Sequence, residues 1–235
     1  MRRAFVVAAM FAIAAAAGCT GDLDPPWQLD HDRIIAVRAT PPGVAAGESA
    51  TLDALLGHKG APTRVAPPEL ATVVSPASLA DVLRFDGANW VVTAPSEQRL
   101  AQVRAELMLA ADAPVKLTVG VSYQAQALFA TKVIELGRAA TNPSLVSMNM
   151  KIDGAPAGSA EIVVQPLVAV PLSIDADDAH YDVTWLTSCG TMHDFDLPNA
   201  YLKVEAEDPT SGELAVVLRD GGAGVAWNVW PIRAE

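Results

Sequence analysis

The strongest constraint on this chain is a series of short two-residue alternations in roughly its last 90 residues, each cut off by turn residues. Val146, Met148, Met150 and Ile152 alternate with Ser147, Asn149 and Lys151 before the turn at Asp153-Gly154. Val168, Val170, Leu172 and Ile174 form a second set, and Tyr181, Val183 and Trp185 a third. Leu202 with Val204, Leu214 to Leu218, and Val225, Trp227 and Val229 continue the series, and residues 160–165 add one more. Strands of this kind bury one face each, so they require a second sheet packed across from them.

About seven such strands in one stretch is the pattern of an immunoglobulin-like sandwich, with Trp185 at its core-tryptophan position. The first half is also β. Ile35, Val37 and Ala39 alternate up to Pro41-Pro42-Gly43, then Ala50, Leu52 and Ala54, and later Val115, Leu117, Val119 and Val121. Residues 57–80 are rich in Pro and Ala and resist assignment. One helix is predicted at about 96–110, started by Pro95-Ser96-Glu97, with Leu100, Val103 and Leu107 on one face. The reading is a mainly β chain of two tandem immunoglobulin-like β-sandwich domains, 33–140 and 141–235, divided at Asn142-Pro143.

Ahead of them, Met1-Arg2-Arg3 is a basic start and Ala4 to Ala17 an uncharged apolar run. That is a secretory signal, too short for the roughly 20 residues of a membrane-spanning helix. Ala16-Ala17-Gly18-Cys19 resembles the lipobox of bacterial lipoproteins, with Ala16 in place of the usual Leu. The resemblance implies removal of residues 1–18, covalent lipid on Cys19 and a tether over 19–32. Thr20, where Asp would favour retention in the inner membrane, implies an outer-membrane destination. Trp27 in the tether is free to dock on the first domain or at the membrane interface.

The opening Ile34-Ile35-Ala36-Val37-Arg38-Ala39-Thr40-Pro41-Pro42, followed by Gly47-Glu48-Ser49-Ala50-Thr51-Leu52, resembles the start of immunoglobulin-like domains on bacterial surface lipoproteins. The later residues Trp185 to Asp196, Gly212-Glu213-Leu214, Arg219-Asp220-Gly221-Gly222 and Trp227 resemble a group of delta-proteobacterial lipoproteins. These resemblances imply location and fold, and no activity.

The chain carries 16 basic and 27 acidic residues, a net −11. Without Arg2 and Arg3 the balance is 14 against 27, or −13, which argues against nucleic acid and anionic lipid as partners. With Cys19 acylated, Cys189 has no partner for a disulfide and is either a core residue or part of a site.

The densest polar cluster is Cys189, His193, Asp194 and Asp196, in the loop after the Trp185 strand. Thiolate, imidazole and carboxylates suit a transition metal, with His180 as a further donor. Asp175, Asp177, Asp178 and Asp182 are a second set, of oxygen donors suited to calcium. Nucleophile-elbow, zincin and phosphate-loop motifs are absent from the sequence. Trp227 and Trp230 point to opposite faces of the last strand. One is core, and Trp230, if it is the outward one, forms a contact surface with Tyr201.

The expectation is a non-enzymatic, lipid-anchored envelope protein acting in recognition or scaffolding. It would need no cofactor and would bind a protein or glycan partner. The alternatives are a metal-binding module on the Cys189–Asp196 loop and an accessory subunit of an envelope assembly.

Overall fold

The computed structural model describes residues 25–125, 127–146, 148–158, 160–176 and 180–235. The signal segment and Cys19 lie outside the described residues.

The first sandwich runs through nine strands: β1 (Arg33–Thr40), β2 (Gly43–Val44), β3 (Ser49–His58), β4 (Ala61–Ala66), β5 (Leu70–Ser75), β6 (Leu83–Phe85), β7 (Trp90–Thr93), β8 (Val115–Tyr123) and β9 (Leu128–Leu136). One sheet has the order β1-β3-β7-β6, with β4 added to β3, and the other has the order β2-β9-β8-β5. β2 joins β9 in parallel, so the first strand of the domain is shared between the two sheets. In the letter scheme of immunoglobulin domains this is A-B-E-D facing A′-G-F-C.

The second sandwich repeats that plan with β10 (Lys151–Ile152), β11 (Ala155–Pro156), β12 (Ile162–Val164), β13 (Val170–Ser173), β14 (Tyr181–Thr187), β15 (Thr191–His193), β16 (Asn199–Lys203), β17 (Ser211–Asp220) and β18 (Val225–Ala234). Its sheets are β11-β10-β13-β16-β15 and β12-β18-β17-β14, with β12 parallel to β18. β10, β13, β16 and β15 are A, B, E and D; β12, β18, β17 and β14 are A′, G, F and C. The chain is therefore mainly β, with two immunoglobulin-like sandwiches and one α-helix among the described residues.

Inward residues alternate as the pleat requires. Leu117, Val119 and Val121 of β8 meet Leu52 and Ala54 of β3 in the first core, and Trp185 of β14 sits in the second with Leu202, Leu214 and Val216. The helix, α1 (Glu97–Glu106), links β7 to β8 and begins with Ser96 Oγ accepting from Arg99 N–H. It buries Leu100 and Val103. It ends four residues before the predicted stop because Met108 turns left-handed (φ 56) and Leu109 N–H closes back on Arg104 O at 2.8 Å. Leu107, placed on the helical face by spacing, is consequently exposed.

A third apolar cluster joins the two sandwiches. Ala36 of β1 and Leu55 of β3 pack on Leu186 of β14, Ala215 and Val217 of β17, and Val225 of β18. The outer face of the A-B-E-D sheet of one sandwich thus covers the outer A′-G-F-C face of the other, and four sheets lie one upon another. Arg38 stacks over the Trp227 ring at 4.0 Å while bonding Asp53 at 2.6 Å. Asn142 spans the seam, donating from Nδ2 to Ala39 O and accepting at Oδ1 from Val225 N–H, both at 2.9 Å.

Residues 25–32 are not a free tether. Leu29 N–H bonds Thr187 O at 2.8 Å and Thr187 N–H bonds Trp27 O at 2.9 Å, pinning the segment to the end of β14. Asp30 accepts from Gly60 N–H at 2.6 Å, and Asp32 accepts from Lys59 N–H and pairs with His58, pinning it to the β3–β4 hairpin. The Lys59 N–H bond and the His58 contact hold the Asp32 carboxyl below its usual range. Trp27 docks on the second sandwich, where its ring is partly buried against the core.

Candidate functional site

The loop between β14 and β16 does not gather its polar residues. Cys189 is fully buried; its thiol donates to Pro209 O at 3.0 Å, and its N–H bonds Thr187 Oγ1 at 3.0 Å. Burial raises the thiol pKa, which keeps it protonated and unreactive. His193, Asp194 and Asp196 are exposed on the other side of the backbone. Asp194 adopts φ 52 and its carbonyl accepts from Leu197 N–H at 3.0 Å, so the loop folds back over Trp185. Trp185 is held there by Leu197 O, 3.0 Å from Nε1, and by Phe195 O, 2.7 Å from the backbone N. The turn between the strands makes the separation: Cys189 and His193 are four apart and would share a face in one continuous strand, but the chain turns at Gly190 (φ 93), and Met192 takes the inward place on β15.

Among the described residues, no three His, Cys, Asp or Glu side chains converge as metal ligands. This corrects the metal reading of Cys189, His193, Asp194 and Asp196. His180 stands at the start of β14, where its carbonyl accepts from Gly221 N–H at 3.0 Å. Of the acidic set, Asp175 accepts from Asn149 Nδ2 at 3.0 Å, and Asp182 faces Arg219 across the β14–β17 ladder. Asp177 and Asp178 lie outside the described residues.

Trp230 is also corrected. It is 1 % exposed in the second core, its Nε1 donating to Gly158 O at 2.6 Å, because Trp230, Ile232 and Ala234 form the inward series of β18. Trp227 takes the opposite face and lies in the seam. Tyr201 remains partly at the surface, 37 % exposed, stacked on His193 with ring centroids 4.4 Å apart and planes 9° apart.

Buried Cys189 gives a direct prediction. In the folded protein it should resist a thiol reagent such as Ellman's, and it should react fully only in denaturant. Fast labelling of the native chain would show that the loop opens.

Sequence reasoning missed the seam. Lys132 occupies an inward position of β9, in the series Leu128, Ala130, Lys132, Ile134 and Leu136. It reaches the open edge between β1 and β9, where it donates to Ala223 O in the β17–β18 turn of the other sandwich. Arg219 makes the reciprocal crossing, bonding Ile35 O of β1 at 2.9 Å and Thr184 Oγ1 at 3.3 Å. One signal available in sequence was a lysine interrupting an otherwise apolar inward series.

No family model and no curated protein matches the chain. Among solved structures it is similar to the fibronectin(III)-like modules of Clostridium thermocellum CbhA, at 13 % identity over 85 % of this chain and 94 % of that one, with a TM-score of 0.28. It is similar to the tandem Ig repeats of Dlar at 13 % identity, covering 82 % and 92 %, with a TM-score of 0.30. A nucleoside hydrolase-related protein from Saccharophagus degradans gives a TM-score of 0.32 at 12 % identity over 41 % of this chain; the match spans only 26 % of that protein. The class assignment, immunoglobulin-like, rests on the strand order of the two sandwiches.

Proposed function

We propose that the chain is a non-enzymatic, lipid-anchored cell-envelope protein whose two sandwiches act as one rigid block for recognition or scaffolding of a protein or glycan partner. The observation that carries this reading is the strap at residues 25–32, bonded to Thr187 of one sandwich and to Lys59 and Gly60 of the other. It begins six residues after Cys19, so a lipid on that cysteine would hold both domains together at the bilayer. Several acyl chains on one residue make a stable anchor, whereas a single chain is marginal. Thr20 supports the outer membrane as the destination. Among the described residues no helix is long and apolar enough to cross a membrane.

Membrane fractionation with mass spectrometry tests the anchor. The native protein should sediment with membranes and begin at an acylated Cys19. Cys19→Ala should be released or accumulate unprocessed; a processed variant still bound to membranes overturns the reading. The non-enzymatic part fails if the purified protein shows turnover in a broad hydrolase screen that His193→Ala or Cys189→Ala abolishes.

A further inference from the structure

The seam between the sandwiches holds an open cleft of about 340 Å³, with Lys132 from one domain and Arg219 from the other in its wall. These cations differ from five others among the described residues. Arg38, Arg99, Arg104, Lys203 and Arg233 each lie against a carboxylate. Lys132 does not: it is 6 % exposed, and among the described residues its only hydrogen-bond partner is the Ala223 carbonyl, although an ammonium has three N–H groups to place. Arg219 bonds a carbonyl and a hydroxyl, both neutral. A smaller cleft of about 130 Å³ shares Ile34, Ile35 and Arg219 with the first and is walled by Arg33, whose Nε and Nη2 are buried without a partner. Arg219 thus lines a cleft with Lys132 and a second with Arg33, in a chain whose net charge is −11.

Desolvated charges without counter-charges are costly, and a group that supplies negative charge relieves the cost. Two carboxylates also line the larger cleft. Asp220 is committed to its own turn, its Oδ1 accepting from Gly222 N–H at 2.9 Å and Gly224 N–H at 2.8 Å. Asp182 is exposed, opposite Arg219. Asp220 attracts Lys132 and Asp182 attracts Arg219 from beyond ion-pair distance, which offsets only part of the cost of burying the two cations.

We propose that the seam is a binding site for a small organic anion, its carboxylate or phosphate group seated on Lys132 and Arg219. Domain interfaces are where such pockets concentrate, and the volume falls within the usual range for small ligands. Ile34, Ala36 and Val37 supply apolar wall for the remainder of the molecule. Burial pushes Lys132 down to about 8, and a bound anion would favour its charged form again. Because the two cations come from different sandwiches, the ligand would also brace the seam.

Calorimetric titration of the whole chain, extracted in detergent, with inorganic phosphate and separately with succinate is the test. Saturable binding of either is expected; phosphate alone points to a phosphate ester, succinate alone to a carboxylate, and both to the shared group. Lys132→Met and Arg219→Gln should each weaken binding roughly tenfold to a hundredfold, the worth of one charge-assisted hydrogen bond. Asp182→Asn should tighten it, and Lys116→Met, an exposed site on β8, should change nothing. Absence of saturable binding to both probes overturns the proposal, as does unchanged affinity in Lys132→Met and Arg219→Gln. If Lys132→Met fails to fold, Arg219→Gln and Asp182→Asn decide, and no change in both overturns it. A null result leaves the anchor reading standing, since that is tested at Cys19.

Discussion

Trp185→Ala should destabilise the second sandwich by about 3–5 kcal/mol, the range for removing a fully buried large aromatic side chain. Trp185 has no exposed surface, and it is the ring over which the loop carrying Phe195 and Leu197 is folded. The substitution leaves a cavity and also deprives the Leu197 carbonyl of its donor. The two sandwiches unfold as one unit of about 200 residues, which loses roughly 2–4 °C of Tm per kcal/mol, so the midpoint of thermal unfolding followed by circular dichroism should drop by roughly 6–20 °C. Trp185→Phe retains most of the volume and loses the Nε1–H bond, so its cost should be nearer 1–2 kcal/mol. Equal losses in the two variants would mean that the hydrogen bond, rather than the packing, dominates at this position.

Val217→Asp should separate the two sandwiches without emptying either core. Val217 has no exposed surface, yet it belongs to the seam cluster, while its neighbours Val216 and Leu218 face the second core. An uncompensated carboxylate there should cost about 3–5 kcal/mol. Scanning calorimetry of the native protein should give one transition, since each sandwich covers an apolar face of the other. In the variant it should resolve into two. Val217→Asp unfolding in a single transition at the native temperature would show that the seam contributes little to cooperativity. Val216→Asp should instead unfold the second sandwich directly.

The second sandwich was the more legible of the two, for a physical reason. β14, β17 and β18 are seven to ten residues long and present one continuous inward face, so their apolar period survives in sequence. β4 and β5 are largely exposed, which removes the period there and leaves a Pro-rich stretch to be read as irregular. β9 was hidden by Lys132, a charge in the inward series. The alternation over 146–150 does not mark a strand: Met148 and Met150 are buried from a loop, and the strand begins only at Lys151. Leu214 to Leu218 is apolar at all five positions and buried at all five, the mark of a strand covered on both faces. Of all the segments in the chain, that run carries the plainest trace of the seam. The polar loop misled because residue types were counted without their directions: Cys189 and His193 are close in sequence and lie on opposite sides of the backbone.

The strap also sets what a partner can meet. β3 and β14 both run towards it, ending at His58 and Thr187, so their starts at Ser49 and Tyr181 lie at the opposite pole. Ser49 pairs with Thr93, just ahead of α1, and Tyr181 pairs with Asp220, at the β17–β18 turn. With Cys19 in the bilayer, the six residues to Pro25 allow at most about 20 Å of slack, less than the length of one ten-residue strand. The molecule would then stand as a short post with little sway. The pole bearing α1 and the Asp220–Gly224 turn would be the first surface met by anything arriving from the aqueous side.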